Sequence, residues 1–178
     1  MKQIKLISIR TKNLKKKQII SICKLKNKYW RWTVISQLKW FVSHVKTMDI
    51  NNLLYLKKEL VGYTLLRKRK AYHGKKKIKY FYLDTIIILS RFRKTGLGSK
   101  LMKHNNKIIN KYKKHAFLIC QKKNISFYSK HKWKVLKKNS FNILDHQPAW
   151  FNKNIPLFGM VYNQIKTDGK INYFLNKT

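Results

Sequence analysis

Carboxylates are scarce in this sequence, and their scarcity sets its charge. The 178 residues include five Asp and Glu against 43 Lys and Arg, which gives a formal net charge of +38 at pH 7. Such a charge ordinarily indicates nucleic acid or another polyanion as a partner. The excess is almost all lysine, however, and it accompanies abundant Asn, Ile, Tyr and Phe, which share A/T-rich codons. A polyanionic partner and a biased genome are therefore both open explanations.

Long apolar runs, a leader pattern and metal-ligand spacings are also missing. No apolar run reaches about 18 residues, so no membrane span is predicted. The first residues alternate without an apolar core and a small-residue cleavage site, so no signal peptide is expected. The six histidines show no ligand spacing, and we expect no metal. Zinc-finger and RNA-recognition signatures are absent and the basic residues are spread over the chain, which disfavours nucleic acid as the partner.

Cysteine is limited to Cys23 and Cys120, both inside apolar patterns. Buried, reduced thiols in a cytoplasmic protein are the state that this usage favours. With 44% hydrophobic and 13% aromatic residues the chain is not a disordered polycation. Its length suits one compact domain, and no repeat or linker-like composition divides it. The sequence therefore predicts a single domain over residues 1–178.

The stretch from Ile78 to Leu101 predicts a strand, a glycine loop and the start of a helix. Tyr80–Leu89 is rich in aromatic and β-branched residues, which suit a buried strand. Gly96 and Gly98 follow, and apolar residues then recur at helical spacing. A helix start presents unpaired N–H groups and positive potential, so this turn is suited to a phosphate group. The P-loop and dinucleotide patterns do not fit its spacing.

The remaining elements predict an α/β sheet. The interpretation, in chain order, is a strand at Gln3–Ile9, a helix capped by Asn13 and ending near Lys28, a helix at Thr33–Lys46, strands at Leu53–Lys57 and Val61–Arg67, a basic loop at Lys68–Lys77, and a strand at His115–Cys120. A helix that crosses from the central strand to the next strand predicts a locally parallel pair. Gly62 inside a strand indicates a bulge or a close backbone approach.

Two segments resemble a known superfamily. The run Arg93-Lys94-Thr95-Gly96-Leu97-Gly98 is similar to the Arg/Gln-x-x-Gly-x-Gly/Ala motif of the GCN5-related N-acetyltransferases (GNAT). Phe127-Tyr128-Ser129-Lys130-His131-Lys132-Trp133 resembles the later Phe-Tyr-x-Lys-x-Gly-Phe segment of that superfamily. The resemblance implies an α/β (α+β) fold with a mixed, centrally twisted sheet of about six to seven strands and about four helices. Lys132 replaces a glycine, which suggests a different turn geometry there.

The resemblance also implies acetyl-coenzyme A as the acetyl donor. Backbone amides at Lys94–Ser99 would hold its pyrophosphate, with the Ser99 hydroxyl as a further donor. Ile87–Leu89 would pair with the pantetheine arm and give an N–H to the thioester oxygen. Arg91 and Arg93 would contact phosphates or remain solvated. The implied cofactor-binding residues are Ile87, Ile88, Leu89, Arg91, Arg93, Lys94, Thr95, Gly96, Leu97, Gly98 and Ser99.

In this superfamily the acceptor amine attacks the thioester directly. By resemblance Tyr128 would be the general acid for the thiolate, with packing as the alternative. Asp84 would be the base, or it would cap a turn or pair with a lysine; Glu59 is a weaker candidate. Cys120 is not expected to be a nucleophile, because no histidine is placed by sequence to activate it.

Acceptor choice is expected at Tyr29, Trp30, Arg31 and Trp32. The stretch Trp32–Phe41 resembles superfamily members that acetylate nucleotide-linked amino sugars, although Leu38 replaces a histidine common there. An aromatic wall can stack a sugar or base, and a basic field suits an anionic small-molecule amine. Core or interface packing of the tryptophans, a protein N-terminal or lysine acceptor, and a non-catalytic nucleic-acid-binding role are the alternatives. A monomer or homodimer is expected.

Overall fold

The computed structural model describes residues 4–30, 32–145, 156–165 and 167–176. The chain forms two compact units. The first comprises Met1–Arg67 and Asp84–Asn105, and the second comprises Lys68–Leu83 and Asn106–Thr178. No helix within the described ranges has both the length and the apolar character needed to cross a bilayer. The expectation of a single domain stays a prediction.

The described residues form four α-helices and nine strands. The helices are α1 (Lys16–Asn27), α2 (Val34–His44), α3 (Leu97–Lys111) and α4 (Ile125–Ser129). The strands are β1 (Ile4–Arg10), β2 (Ile50–Leu56), β3 (Glu59–His73), β4 (Lys76–Ile88), β5 (His115–Gln121), β6 (Lys134–Val135), β7 (Phe141–Ile143), β8 (Leu157–Tyr162) and β9 (Ile171–Tyr173). Because parallel and antiparallel pairs both occur, the mixed α/β class expected from the sequence is confirmed.

The first unit is built on an antiparallel ladder of β1, β2 and β3. Its core combines apolar residues of these strands with the buried stripes of α1 and α2. The register of β2 against β3 shifts where Leu54 faces Gly62. A Cβ on Gly62 would lie 2.7 Å from Ile88 Cδ1, so the strand needs glycine for close approach. Both readings of Gly62, a bulge and a tight contact, are confirmed.

A buried polar network fixes α3 to the strands of this unit. Asn52 donates from Nδ2 to Thr64 Oγ1 (3.1 Å) and Asn105 Oδ1 (2.7 Å). Asn105 donates to Leu101 O, and Ser8 donates to Asn52 Oδ1. Because a satisfied network of this kind has one geometry, it sets the position of the helix that begins at the glycine loop.

Replacing Asn105 with alanine is expected to lower the free energy of unfolding by about 1–3 kcal/mol, because buried groups of Asn52 and Thr64 lose their partner. Urea denaturation followed by circular dichroism measures this change. Lys103→Ala, on an exposed part of the same helix, is the control and should change stability by less than about 0.5 kcal/mol. Equal effects of the two substitutions would contradict the role given to the network.

The second unit contains the parallel pair expected from the crossover helix. Residues 80–82 of β4 pair in parallel with residues 115–117 of β5. β5 then pairs antiparallel with β8, and β8 with β6. The core stacks Phe117 on Tyr173 with ring centroids 3.9 Å apart. His115 bonds to the Tyr173 hydroxyl, and burial lowers the pKa of His115 to about 4, so it is neutral at physiological pH.

Two local predictions are wrong. Lys68–Lys77 is not a loop, because β3 runs to His73 and β4 starts at Lys76, with only a tight turn at Gly74 (φ +56°) between them. Asn13 does not cap α1. It ends a 3-10 turn, and α1 begins after Lys15, whose N–H is bonded by Gln18. Gln3, which the sequence placed in a first strand, and Arg31, which it placed in the acceptor region, lie outside the described residues.

Candidate active site

The glycine loop is a sharply turned connection from β4 to α3. After a 3-10 turn at Ser90–Phe92, Lys94 has φ +62° and Gly96 has φ +83°. Thr95 Oγ1 donates to Phe92 O at 2.7 Å and holds this bend. Lys100 N then donates to Gly96 O at 3.0 Å, which marks the first helical hydrogen bond of α3. Lys94 therefore adopts a left-handed conformation that favours glycine, at a cost of about 1 kcal/mol.

The glycine loop borders open space at the start of α3. Residues 93–96 are exposed, and a Cβ at Gly96 would meet nothing within 4 Å, so the space above the backbone is open. The amides of the first turn of α3 have no intrahelical acceptor, and the helix dipole adds positive potential. The nearby carboxylate of Glu59 is paired with Arg91. The phosphate-binding role of this turn stays a prediction.

The end of β4 and Leu89 after it, before the loop, are buried, and one backbone amide there is already hydrogen-bonded. Ile87, Ile88 and Leu89 are each less than a tenth exposed. Leu89 donates its N–H to Val61 O at 2.9 Å, next to the close approach at Gly62. Of the three residues expected to face the thioester, Leu89 therefore has its amide occupied by the neighbouring strand.

Tyr29 connects the predicted acceptor region to the predicted donor region. Its hydroxyl donates to Ile88 O at 2.5 Å. The Arg93 guanidinium lies over the Tyr29 ring, 4.8 Å from its centroid. Trp30 packs partly buried against the core, whereas Trp32 is 39% exposed. The structure therefore brings Tyr29, Ile88 and Arg93 together.

Asp84 lies in a buried ion pair. Its Oδ2 accepts from Arg67 Nη1 at 3.1 Å, and Arg67 Nη2 donates to the backbone oxygen of His44. Both side chains of the pair are less than a tenth exposed. The sequence offered a base, a turn cap or a lysine pair for Asp84, and the structure shows an arginine pair. Its role as a base stays a prediction.

Lys26 was not identified from the sequence as part of the site. It is 4% exposed, and its Nζ lies 3.5 Å from the centroid of the Trp40 ring. Burial lowers the pKa of Lys26 to about 8, and Asp84 acts in the opposite direction. One signal was present in the sequence: Lys26 follows Ile22 by four residues, which places it on the buried stripe of α1.

The second unit holds Tyr128, the predicted acid. Its side chain is 8% exposed and packs edge to face against Phe127. Burial, and secondarily Cys120, raises the pKa of Tyr128 well above its ordinary value. The described part of the chain places no hydrogen-bond partner at its hydroxyl. Tyr128 is therefore protonated throughout the physiological range.

Two further expectations concern Lys132 and Cys120. Lys132 has φ +67°, which is the conformation that glycine favours, so the expectation of a different turn geometry there is wrong. Lys132 adopts this turn conformation although it is not glycine, and its backbone N–H donates to Ser129 O. Cys120 is buried, and burial raises the pKa of its thiol to about 11, which makes it a poor nucleophile as expected. Cys23 and Cys120 are both buried free thiols.

Comparison with known sequences settles the family. A family model described as the acetyltransferase (GNAT) family matches residues 20–133, which include the glycine loop and Tyr128. The chain belongs to the GNAT family. The resemblance read from the two motifs is thereby confirmed. No curated protein matches this GNAT sequence significantly.

Solved structures show the same fold at low identity. Escherichia coli ElaA has a TM-score of 0.65 and 14% identity, with 89% of this chain and 99% of that chain covered. The ribosomal-protein-alanine N-acetyltransferase of Escherichia coli has a TM-score of 0.63 and 12% identity, with 93% and 97% covered. An aminoglycoside 6'-N-acetyltransferase complexed with coenzyme A has a TM-score of 0.63 and 13% identity, with 91% and 99% covered.

Proposed function

We propose that this protein is an acetyl-coenzyme A-dependent N-acetyltransferase that moves the acetyl group directly to a primary amine. The observation that carries the proposal is the turn from Arg93 to Gly98, which exposes the start of α3 to an anion directly after a buried strand. Because this turn lies within the part of the chain that matches the GNAT family, we infer that the anion is the pyrophosphate of acetyl-coenzyme A. A coenzyme A complex among the structural relatives supports the same donor.

On the donor side, the amides of Lys94–Ser99 bind the pyrophosphate, and Arg93 adds a cation beside the loop. Ile87 and Ile88 pair with the pantetheine arm and polarise the thioester carbonyl. Leu89 has its N–H on Val61 O, so it contributes by packing. Arg91 is held by Glu59 and reaches phosphate only when that exposed pair opens.

The chemistry requires the transfer of two protons. The acceptor ammonium loses one proton before its nitrogen can attack the thioester, and the departing thiolate must gain one. Tyr128 supplies the thiolate proton in this proposal. Burial keeps its phenol protonated, so the proton is present when the C–S bond breaks, but the raised pKa also makes Tyr128 a weaker acid.

Tyr128→Phe is expected to reduce kcat about 100-fold or more, because the phenol proton is lost while ring packing remains. The KM for acetyl-coenzyme A should change little, since the loop amides are untouched. Steady-state release of free thiol measures both constants. Tyr72→Phe, at a tyrosine outside the proposed site, is the matched control and should behave as wild type. Full kcat in Tyr128→Phe would remove Tyr128 from the role.

The acceptor we propose is an amino sugar or a nucleotide-linked amino sugar. Support comes from Trp30 and from the 39% exposure of Trp32, which offers a surface on which a sugar or base can stack. The net charge of +38 favours an anionic acceptor. A protein N-terminus or lysine is the alternative acceptor, since the structural relatives include a ribosomal-protein-alanine acetyltransferase as well as an aminoglycoside acetyltransferase.

Thiol release tests the acceptor class directly. Wild-type protein is mixed with acetyl-coenzyme A and, in parallel, with amino sugars, nucleotide-linked amino sugars, simple amines and peptides. The proposal expects the highest kcat/KM with a nucleotide-linked amino sugar, and a loss of that preference in Trp32→Ala. A preference for peptides would assign the alternative acceptor.

The charge supports one function of a different class, non-catalytic binding of nucleic acid. That function predicts an affinity that falls steeply and linearly on a log–log plot against salt concentration. Calorimetry with acetyl-coenzyme A separates the two classes: the enzyme binds it saturably, and the nucleic-acid-binding protein does not. We further propose a cytoplasmic location, where Cys23 and Cys120 stay reduced, and a monomer or homodimer.

A further inference from the structure

Lys26 is a buried lysine that makes no direct ion pair with a described residue. Its side chain is held between two indoles, with Nζ 3.5 Å from the Trp40 centroid and 5.7 Å from the Trp30 centroid. Among the described residues, no carboxylate lies within ion-pair distance of Nζ and no hydrogen-bond acceptor is bonded to it. Lysine is almost never fully buried unless it is paired, because desolvating the ammonium is unfavourable. An apolar residue would pack here at lower cost.

The position of Lys26 links it to the predicted reaction centre. Its backbone oxygen accepts from the amides of Tyr29 and Trp30, both at 3.0 Å. Tyr29 in turn holds Ile88 O at the end of the strand proposed to face the thioester. Lys26 thus lies one helical turn before the residues that join the acceptor region to the donor strand.

The charged and titratable groups around Lys26 come from α1, α2, β3 and β4. Cys23 lies on the same helix, His44 on α2 stacks on Trp40, Arg67 comes from β3, and Asp84 comes from β4. Burial lowers the pKa of Lys26 to about 8, Asp84 and Cys23 raise it, and Arg67 lowers it. About one Lys26 in ten is therefore an unprotonated amine at pH 7, a far larger fraction than for a solvated lysine.

The other groups are less able to receive a proton. Arg67 is always protonated, and its guanidinium has no atom that can accept a proton. Asp84 has Oδ2 bonded to Arg67 Nη1. His44 places Nδ1 against Ser43 and the Trp40 carbonyl. Lys26 is the member of the cluster that combines a free lone pair with a suitable proton affinity.

We propose that the Lys26 amine is the general base that takes the proton of the acceptor's ammonium, while Asp84 stabilises the Lys26 ammonium that forms. The proton moves to the lone pair on Nζ, and the acceptor nitrogen becomes a neutral amine. Its lone pair forms the C–N bond, and the C–S bond breaks with its electron pair on sulfur. Tyr128 protonates the thiolate, and the second proton of the nitrogen restores the Tyr128 phenol through water. Lys26 returns its own proton to water. This role rests on the proposed acetyltransferase function.

Two substitutions separate a proton acceptor from a packing cation. Lys26→Arg keeps a cation over Trp40 but cannot deprotonate. Lys26→Met keeps the length and removes the amine. Both should lower kcat/KM for the acceptor about 100-fold at pH 7.5 and abolish the rise of the rate with pH near 8. Lys24→Arg, on the exposed side of α1, should retain the wild-type profile. An unchanged rate and profile in Lys26→Arg would overturn the proposal.

A second measurement does not depend on turnover. In wild-type protein carrying lysine labelled with ¹³C at Cε, one signal, absent from Lys26→Arg, should titrate near pH 8. In Asp84→Asn that midpoint should move lower, because the carboxylate that raises the pKa is lost. If every lysine signal of the wild-type protein titrated near 10.5, the ordinary value, the inference would be overturned, and this outcome needs neither variant to fold. Absence of turnover in wild type with every amine would instead contradict the proposed function, whatever this titration gives.

Discussion

Replacing Gly98 with glutamate is expected to weaken acetyl-coenzyme A binding at least about 100-fold while leaving the fold intact. Gly98 lies in the first turn of α3, directly after the exposed residues 93–96. A glutamate there improves helix propensity and interacts favourably with the helix dipole, so stability should not fall. The same carboxylate neutralises the positive potential at the helix start, where we propose that the pyrophosphate binds. Its negative charge also repels the pyrophosphate. The lost affinity corresponds to about 2.7 kcal/mol or more.

Calorimetric titration with acetyl-coenzyme A measures this effect. Gly74→Glu is a matched control, because it makes the same substitution in a tight turn where an added side chain meets nothing within 4 Å. The control should bind like wild type, apart from about 1 kcal/mol of lost stability at a positive φ. If Gly98→Glu bound as tightly as the control, the loop would not be the donor site.

Replacing Asp84 with alanine is expected to lower the free energy of unfolding by about 3–5 kcal/mol. The substitution leaves Arg67, which is 3% exposed in its side chain, without its carboxylate. It also removes the negative charge that raises the pKa of Lys26, so a second cation nearby is destabilised. Chemical denaturation at pH 7 measures the loss.

An exposed ion pair, Glu59 with Arg91, supplies the control. Glu59 and Arg91 are both about half exposed, so Glu59→Ala should lower stability by less than about 1 kcal/mol. The double substitution Arg67→Leu with Asp84→Leu should be less destabilising than Asp84→Ala, because no charge is left unpaired. A loss in Asp84→Ala no larger than in Glu59→Ala would show that Asp84 is not held by its arginine.

The features that were predictable are local in the sequence. Glycines at 96 and 98 after a β-branched run predict a strand, a turn and a helix start, because each signal lies within one element. Gly62 was identified in the same way, since only a close approach or a bulge needs glycine inside a strand. Phe127 and Tyr128 extend the pattern beyond the crossover helix. Spacing along the chain was sufficient for all of these.

The features that were missed depend on contacts between distant residues. Arg67 and Asp84 are 17 positions apart, and nothing in their neighbourhoods marks them as partners. Lys26 was hidden among 43 basic residues, most of which are solvated, so its type carried no signal. Its spacing of four residues from Ile22 was the one local sign of burial, and its contact with Trp40 is visible only in the fold.

High lysine content also obscured the limits of some elements. The end of β3 and the start of β4 are rich in Lys and Arg, which indicates a loop, yet apolar residues such as Ala71 and Ile78 alternate with them and are buried. Lys132 and Lys94 take positive φ angles where the family pattern or sterics favour glycine. Tertiary contacts override residue preference at these positions, at a cost of about 1 kcal/mol each.

The central claim is direct transfer of acetyl from acetyl-coenzyme A to a primary amine. The most direct test combines free-thiol detection with mass spectrometry of both the protein and the small molecules in one reaction. We expect thiol release that requires an added amine, an acetylated amine in equal amount, and no acetyl group on the protein during turnover. Thiol release without amine, an acetylated protein intermediate, or no release with amino sugars, simple amines and peptides would contradict the claim.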